Sequence, residues 1–402
     1  MHILVLNSGS SSIKFQLFDM RPTERLVVKG IADKIGLEDS FVHCERPDGA
    51  PAARRLALAD HRAALNAVCE ILRGDRRSLA AVEIGGVGHR VVHGGERFRA
   101  SVLIDDEVMS ALRILGDLAP LHNPPNILGI EVCREALPGV PNVAVFDTAL
   151  HQTMPPKAYL YGLPMDLYHK HGIRKYGFHG TSHAYVAKEA ARILGRPLED
   201  LRLITCHLGN GCSIAAFAQG RSIDTSMGFT PLEGLVMGTR CGDLDPAVPL
   251  YLIRDLGMSP DQVDELLNEK SGLQGLCGVR DMRDLQEQAR RGEEAARTAL
   301  EVFVYRVQRY IGAYTAALAG VDAIVFTAGI GANSASIRRA ILRPFGYLGV
   351  KVDATRNAQG QALFSTEDSA VHTLAIPTNE ELVIARDTYA LIAQHRTALG
   401  AT

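Results

Sequence analysis

Residues 4–18, LVLNSGSSSIKFQLF, and residues 203–220, LITCHLGNGCSIAAFAQG, follow one plan: an apolar run, a turn of Gly, Ser and Asn, then a second apolar run entered through Ser-Ile. Identity is low and one inserted residue is needed to align them, so the echo is one of structure rather than of sequence. In the first copy Ile13, Phe15 and Leu17 alternate with Lys14 and Gln16, the period-two signature of a strand with one buried face. Each copy therefore reads as a polar-tipped hairpin, and two copies imply two related halves.

Working outward, DDEVMSALRILGDLAP (105–120) opens on Asp cap candidates and reads as a helix ending at Pro120; LHNPPN (121–126) reads as loop, and NILGIEVCREALPG (126–139) as a second helix. VPNVAVFDTAL (140–150) is a buried strand with Asp147 at its C-terminal end. HQTMPPKAYLYGLP (151–164) is Pro-rich and aperiodic, which places a crossing between domains near residue 150. GTSHAYVAKEAARILG (180–195) is a helix with Thr181 or Ser182 as cap and Gly195 as stop. Across 282–320, Phe303, Val307, Tyr310, Tyr314 and Ala317 mark one apolar helix face ended by Gly320. VDAIVFTA is a buried strand, GIGANSASIRRAIL returns to helix, and TNEELVIARDTYALIAQHR closes the chain as a helix capped by Thr378 or Asn379. Strands alternating with helices predict an α/β fold with largely parallel or mixed sheets.

The 402 residues allow two to three domains. A composition of 47% hydrophobic, 22% charged and 6% aromatic residues without Trp excludes disordered, collagen-like and low-complexity classes. No apolar run approaches the roughly 18 residues of a membrane span, and MHILVLNSGSSS does not read as a signal peptide, so a cytoplasmic location is expected. A formal net charge of −2 with mixed signs predicts no nucleic-acid or membrane partner and favours a small substrate. Seven scattered cysteines without a C-x-x-C pair read as free thiols, with neither zinc nor disulfides expected.

The P-loop, protein-kinase, H-E-x-x-H and G-x-S-x-G signatures are absent from the sequence. NSGSSSIK (7–14) offers small residues, hydroxyls and Lys14, which suit either a phosphate cradle or a solvent-exposed turn. HLGNGCS (207–213) occupies the matching place in the second half, where one turn from each half would clamp a nucleotide. GHRVVHGG (88–95) holds Arg90, and TPLEGLVMGTRCGDLDP holds Arg240 near Asp243 and Asp245. Arginine grips carboxylate and phosphate oxygens bidentately, although a surface ion pair is the commoner fate of a lone one. His179 and His183 stand at i, i+4 without the other ligands of a zinc site. His179, ahead of its helix, reads as a hydrogen-bond donor to substrate, and His122 as either a loop residue or a ligand contact. AGIGANS with Asp353 downstream approximates a dinucleotide fingerprint, which leaves a nicotinamide dehydrogenase as one rival reading. An Hsp70-like or actin-like ATP switch is another.

NSGSSSIKFQLFD, GHRVVHGG, PLHNPPN, VFDTALHQTMP, YGFHGTSH, HLGNGCS, DTSMGFTPLEGLVMGTRCGDLDP, AGIGANS and TNEEL occur in order along the whole chain, and in this the sequence resembles the acetate kinase family. The resemblance implies two duplicated ribonuclease-H-like domains of the sugar kinase, Hsp70 and actin type with a nucleotide cleft between them. Their expected bounds are 1–150, joined by a C-terminal helix of about 383–402, and 151–382. It implies ATP-dependent, Mg2+-assisted (or Mn2+-assisted) phosphorylation of acetate, or of propionate, in a homodimer. Asn7 and Glu380 would hold the metal, Lys14 would lie by the phosphates, and Arg90 would bind the acid. Asp147 would be the catalytic carboxylate, with His179 and Arg240 stabilising the transition state. Val92, Leu121, His122, Phe178 and Pro231 would line the acid pocket. His207, Leu208, Gly209, Asn210 and Gly211, with Asp281, Met282 and Arg283, and Gly329, Ile330, Gly331, Ala332 and Asn333, would contact the nucleotide. Ala332 departs from the Glu usual in that turn.

Overall fold

A computed structural model describes residues 1–47, 52–74, 83–118 and 123–400, and divides the chain into two units, Met1–Ala149 with Asn379–Thr402 and Leu150–Thr378. In the first unit, strands β1 (His2–Ser8), β2 (Ser12–Asp19), β3 (Arg25–Asp33), β4 (Phe41–Glu45), β5 (Ala52–Arg55), β6 (Ile84–Val91), β7 (Val102–Leu103) and β8 (Asn142–Phe146) form a sheet of order β5-β4-β3-β2-β1-β6-β8-β7. In the second, β9 (Leu203–Leu208), β10 (Cys212–Ala218), β11 (Arg221–Thr225), β12 (Ala323–Thr327) and β13 (His372–Ala375) run β11-β10-β9-β12-β13.

The two quoted hairpins head both sheets. β1 pairs antiparallel with β2 and parallel with β6; β9 pairs antiparallel with β10 and parallel with β12. The core order β3-β2-β1-β6-β8 thus repeats as β11-β10-β9-β12-β13. The β8, β9 and β12 strands are buried along their entire lengths, as central strands covered on both faces must be. In the first unit Leu4, Leu6, Phe15 and Leu17 pack with Val68 and Val132 of the His61–Gly74 and Asn123–Ala136 helices, while Ile3, Val5, Val143 and Val145 pack with Ile384 and Ile392 of the closing helix, Glu380–Gly400.

Three local expectations fail for physical reasons. Asn123–Asn126 is not loop but the first turn of the Asn123–Ala136 helix, where Pro124 and Pro125 lose no hydrogen bond because first-turn N–H groups have no intrahelical acceptor. The Gly180–Leu194 helix is not capped by Thr181 or Ser182: its N-cap is His179, at φ 57°, and Ser182 Oγ bonds His207 instead. The long 282–320 segment breaks at Gly292 into two helices. Its buried stripe follows Phe303, Val307, Ile311 and Tyr314, with Ala317 exposed and the half-buried Tyr310 sending its hydroxyl to Asp243 at 2.9 Å. Among the described residues no helix is long and apolar enough to cross a membrane.

Candidate active site

In the first unit the site residues follow from where β6 can be approached. A Cβ on Gly86 would lie 2.2 Å from Ile392 Cδ1, and one on Gly88 2.4 Å from Thr388 Oγ1, so only glycine lets the closing helix lie this close to the sheet. Asn379, just ahead of that helix, accepts from Leu382 N through Oδ1 at 3.1 Å, and the helix brings Glu380 and Glu381 into the field of Arg90. Arg90, two residues past Gly88, donates from Nε and Nη2 to both oxygens of Asp147, at 3.0 and 2.6 Å. Asp147 follows β8 directly and is 1% exposed. Burial alone would weaken the charge of Arg90, but Asp147 more than offsets it, with Glu380 and Glu381 adding to the effect, and the guanidinium pKa is raised.

Asn7 and Lys14 face each other across the β1/β2 hairpin, with Lys14 exposed. Val92 donates its N–H to Asn126 Oδ1 at 3.1 Å, and Asn126 Nδ2 donates to Ser8 O at 2.7 Å, which ties the ends of β6 and β1 to one helix. Leu121 and His122 lie outside the described residues. Glu381 was not anticipated. Burial and then Glu380 push its carboxyl pKa up, against Arg90 and Lys14. Asp147, Glu380 and Glu381 gather around Arg90, and Lys14 acts on Glu381 as well. Hard carboxylate and amide oxygens fit Mg2+, which takes one or two carboxylates and leaves its other positions to water and phosphate. Among the described residues no group of three His, Cys, Asp or Glu is arranged to hold a metal ion unaided.

In the second unit the left-handed backbone of His179, a conformation costing on the order of 1 kcal/mol outside glycine, swings its ring off the start of its helix. The ring stacks on His207, centroids 4.1 Å apart, and its Nδ1 meets Ser213 Oγ at 2.7 Å. A Cβ on Gly211 would stand 3.5 Å from His179 Nε2 and 3.7 Å from Arg240 Nη1. The imidazole and the guanidinium therefore converge above one glycine of the HLGNGCS turn. Arg240 is held from behind by Pro231 O, which accepts from Nη1 at 3.2 Å. Phe178 is buried, and its carbonyl accepts from His151 Nε2 at 3.0 Å.

A cavity of about 840 Å3 opens beside that turn. Of the expected nucleotide contacts, Gly209, Asn210, Asp281, Met282, Arg283, Gly329, Ile330 and Asn333 line it, whereas His207, Leu208, Gly211, Gly331 and Ala332 do not. Leu208 is a core residue and Gly331 is buried. Asp281 caps the Met282–Arg291 helix through Arg283 N and pairs with the Arg283 side chain at 2.9 Å, which holds its carboxyl down at about 2. Arg280, Gln286 and Ser334 complete the wall and were not anticipated. Neither was Arg338, 1% exposed, whose Nη1 donates to Gly331 O and Ala332 O at 3.0 and 2.7 Å and whose Nε and Nη2 reach Asn357. It closes the Ala328–Asn333 turn from beneath; its signal in the sequence, an arginine within the apolar period of ASIRRAIL, is a weak one. Asp353, weighed as a ribose-binding acid, is the cap of the Ala354–Ala358 helix, accepting from Thr355 N and Arg356 N at 2.9 Å.

The family model described as the acetokinase family matches residues 2–386. The chain is 53% identical to an acetate kinase of Halothermothrix orenii over 98% of its length and all of that protein, and 54% identical to one of Clostridium botulinum with the same coverage. Among solved structures it resembles an acetate kinase of Porphyromonas gingivalis (TM-score 0.92, 41% identity) and a propionate kinase of Francisella tularensis (TM-score 0.92, 42% identity). Each comparison covers 97% of this chain and 99% of the other.

Proposed function

The chain belongs to the acetokinase family, and on that premise we propose that it transfers the γ-phosphoryl group of ATP reversibly to acetate, giving acetyl phosphate and ADP. The observation that carries this reading is the convergence of His179 and Arg240 on Gly211, on the turn whose Gly209 and Asn210 wall the 840 Å3 cavity. An anion-stabilising pair at the edge of a nucleotide-sized pocket suits phosphoryl transfer, whose transition state spreads negative charge over three oxygens and asks for positioned cations and donors.

The acid is an anion at neutral pH and needs no general base. It attacks the γ-phosphorus directly, the acyl carboxylate oxygen forming the new P–O bond while the bond to the ADP oxygen breaks. We assign Arg90 to the acid: Asp147 occupies two of its five N–H groups, and the other three are left to grip a carboxylate. Asp147 then acts by holding that fork in place and keeping it charged. His179 and Arg240 meet the charge on the transferring group. Lys14 sits by the phosphates, and Gly209, Asn210, Asp281, Met282, Arg283, Gly329, Ile330 and Asn333 hold the nucleotide. Asn7 and Glu380 would hold Mg2+, which when bound would neutralise phosphate charge.

Arg90 and Asp147 belong to a domain of 1–150 completed by the closing helix, and the nucleotide-holding residues to a domain of 151–382. Val92, Leu121, His122, Phe178 and Pro231 bound the acid. The same family reading carries a cytoplasmic homodimer without nucleic-acid or membrane partners. Propionate is the second acid to consider, because a propionate kinase stands among the structural relatives. Trapping the product with hydroxylamine tests the reading. ATP, Mg2+ and acetate should give acetohydroxamate in proportion to ADP. ATP hydrolysis without hydroxamate would indicate an ATPase switch, and turnover only with a nicotinamide cofactor would indicate a dehydrogenase.

A further inference from the structure

We propose that Ser213 and Thr205 set the tautomer of His179: a one-way chain of hydrogen bonds from His179 through Ser213, His183 and Thr205 to the carbonyl of Ala215 keeps the proton of neutral His179 on Nδ1. The links are His179 Nδ1 to Ser213 Oγ at 2.7 Å, Ser213 Oγ to His183 Nε2 at 2.8 Å, His183 Nδ1 to Thr205 Oγ1 at 2.7 Å, and Thr205 Oγ1 to Ala215 O at 3.4 Å. Ser213, His183 and Thr205 are fully buried. A hydroxyl carries one proton, so Ser213 donates to one imidazole and must accept from the other; the same holds for Thr205 between His183 and Ala215. A carbonyl only accepts. Counted from that end, Thr205 donates to Ala215 O, His183 Nδ1–H donates to Thr205, Ser213 donates to His183 Nε2, and His179 Nδ1–H donates to Ser213. This polarity uses every proton in the chain.

The chain needs a neutral His183, and burial together with His151 and His207 nearby holds its pKa well below the ordinary value. His151 illustrates the same logic with the opposite result: its Nε2 faces Phe178 O and must carry the proton, while Nδ1 accepts from Ser222 at 2.8 Å. For His179 the consequence is chemical. With the proton fixed on Nδ1, Nε2, the nitrogen turned toward Gly211 and Arg240, presents a lone pair when the ring is neutral. It donates to a phosphoryl oxygen only as imidazolium, taking its second proton from water. Ser213, His183 and Thr205 are positioning residues in this scheme, and their effect on catalysis rests on the assignment of His179 to the transferring group.

The groups that bear on the titration of His179 are His207 stacked on its ring, His183 through Ser213, Arg240 across Gly211, and Cys212, whose thiol burial pushes up to about 12 and so keeps neutral. The test is 15N NMR of the full-length protein labelled in histidine, with His179→Asn to assign the signals. The wild type should show His179 as the Nδ1–H tautomer. Thr205→Val, nearly isosteric and not in contact with His179, removes the acceptor of His183 Nδ1–H; His183 then carries its proton on Nε2, Ser213 donates toward His179, and His179 should switch to Nε2–H. In kinetics the high-pH fall of kcat should move upward by about one pH unit in Thr205→Val with KM for both substrates unchanged, because neutral His179 then already offers Nε2–H, and Ser213→Ala, which removes the acceptor of His179 Nδ1–H, should move it in the same direction. An Nε2–H signal in the wild type overturns the proposal, as does a His179 signal unchanged in Thr205→Val. If Thr205→Val fails to fold, the wild-type spectrum decides alone. If the tautomers follow the chain and the pH profile does not move, the relay stands and the placing of His179 on the phosphoryl group falls.

Discussion

Arg90 and Asp147 form a two-pronged ion pair, Nη2 to Oδ2 at 2.6 Å and Nε to Oδ1 at 3.0 Å, in which the carboxylate is buried and the guanidinium partly open. Their strands are adjacent and parallel, with Arg90 opposite Val145 and Asp147 N donating to Val91 O at 3.1 Å, so the sheet itself sets the distance. The pair should act as one device. Asp147→Asn and Arg90→Ala should each lower kcat/KM for the acid by about two orders of magnitude or more, and the double variant should lose little beyond either single one. Losses that multiply would mean the two residues work separately.

Glu380 opens the closing helix, where a carboxylate is also favoured by the helix dipole. The two roles separate in a metal titration. If Glu380 orders Mg2+, Glu380→Ala raises the Mg2+ concentration for half-maximal rate at least about tenfold at saturating ATP. If it only complements the dipole, Mg2+ dependence stays put and thermal stability drops slightly.

Val92 bears on the acid range. Apolar fit discriminates by roughly 1 to 3 kcal/mol per methylene, so the order should be acetate, then propionate, then butyrate. Val92→Ala removes two methyl groups and should raise kcat/KM for propionate relative to acetate while leaving KM for ATP unchanged. A preference for butyrate in the wild type, or an unmoved ranking in the variant, would remove Val92 from the pocket wall.

The paired hairpins were legible because period-two alternation and Gly/Ser turns are local signals, and their repetition carried the duplicated sheet order. The motif residues were legible as types: a lone Arg90 or His179 signals binding chemistry without its partner. What stayed hidden is what long-range packing decides. Asn123 reads as loop because Pro124 and Pro125 follow it, yet first-turn prolines cost a helix nothing. Thr181 and Ser182 read as caps, but the burial of His207 and the stacking of His179 claim that end of the helix. Thr205 carries no local mark and Arg338 only a weak one, since their roles depend on imidazoles and carbonyls brought together by the fold.

His89 on β6 is buried, with Nε2 2.7 Å from Asn142 Oδ1, and burial lowers its pKa from 6.5 to about 4. The unfolded chain therefore binds the extra proton between pH 6.5 and 4, and stability present above pH 6.5 is lost as pH falls through that window. At pH 5 the loss from this one residue is on the order of 2 kcal/mol. Urea unfolding at pH 7 and pH 5 should show a smaller decrease in His89→Gln, which keeps a donor for Asn142 and cannot titrate. Equal decreases would show that His89 is not a source of acid sensitivity.

The central claim is one direct transfer of a phosphoryl group from ATP to acetate, and the stereochemical course at phosphorus tests it. With ATP made chiral at the γ-phosphorus by oxygen isotopes, the account predicts acetyl phosphate of inverted configuration, formed one-for-one with ADP and lost when Arg240 is replaced by Ala. Retention of configuration, which requires two displacements through a phosphorylated enzyme, or the absence of acetyl phosphate altogether, would contradict it.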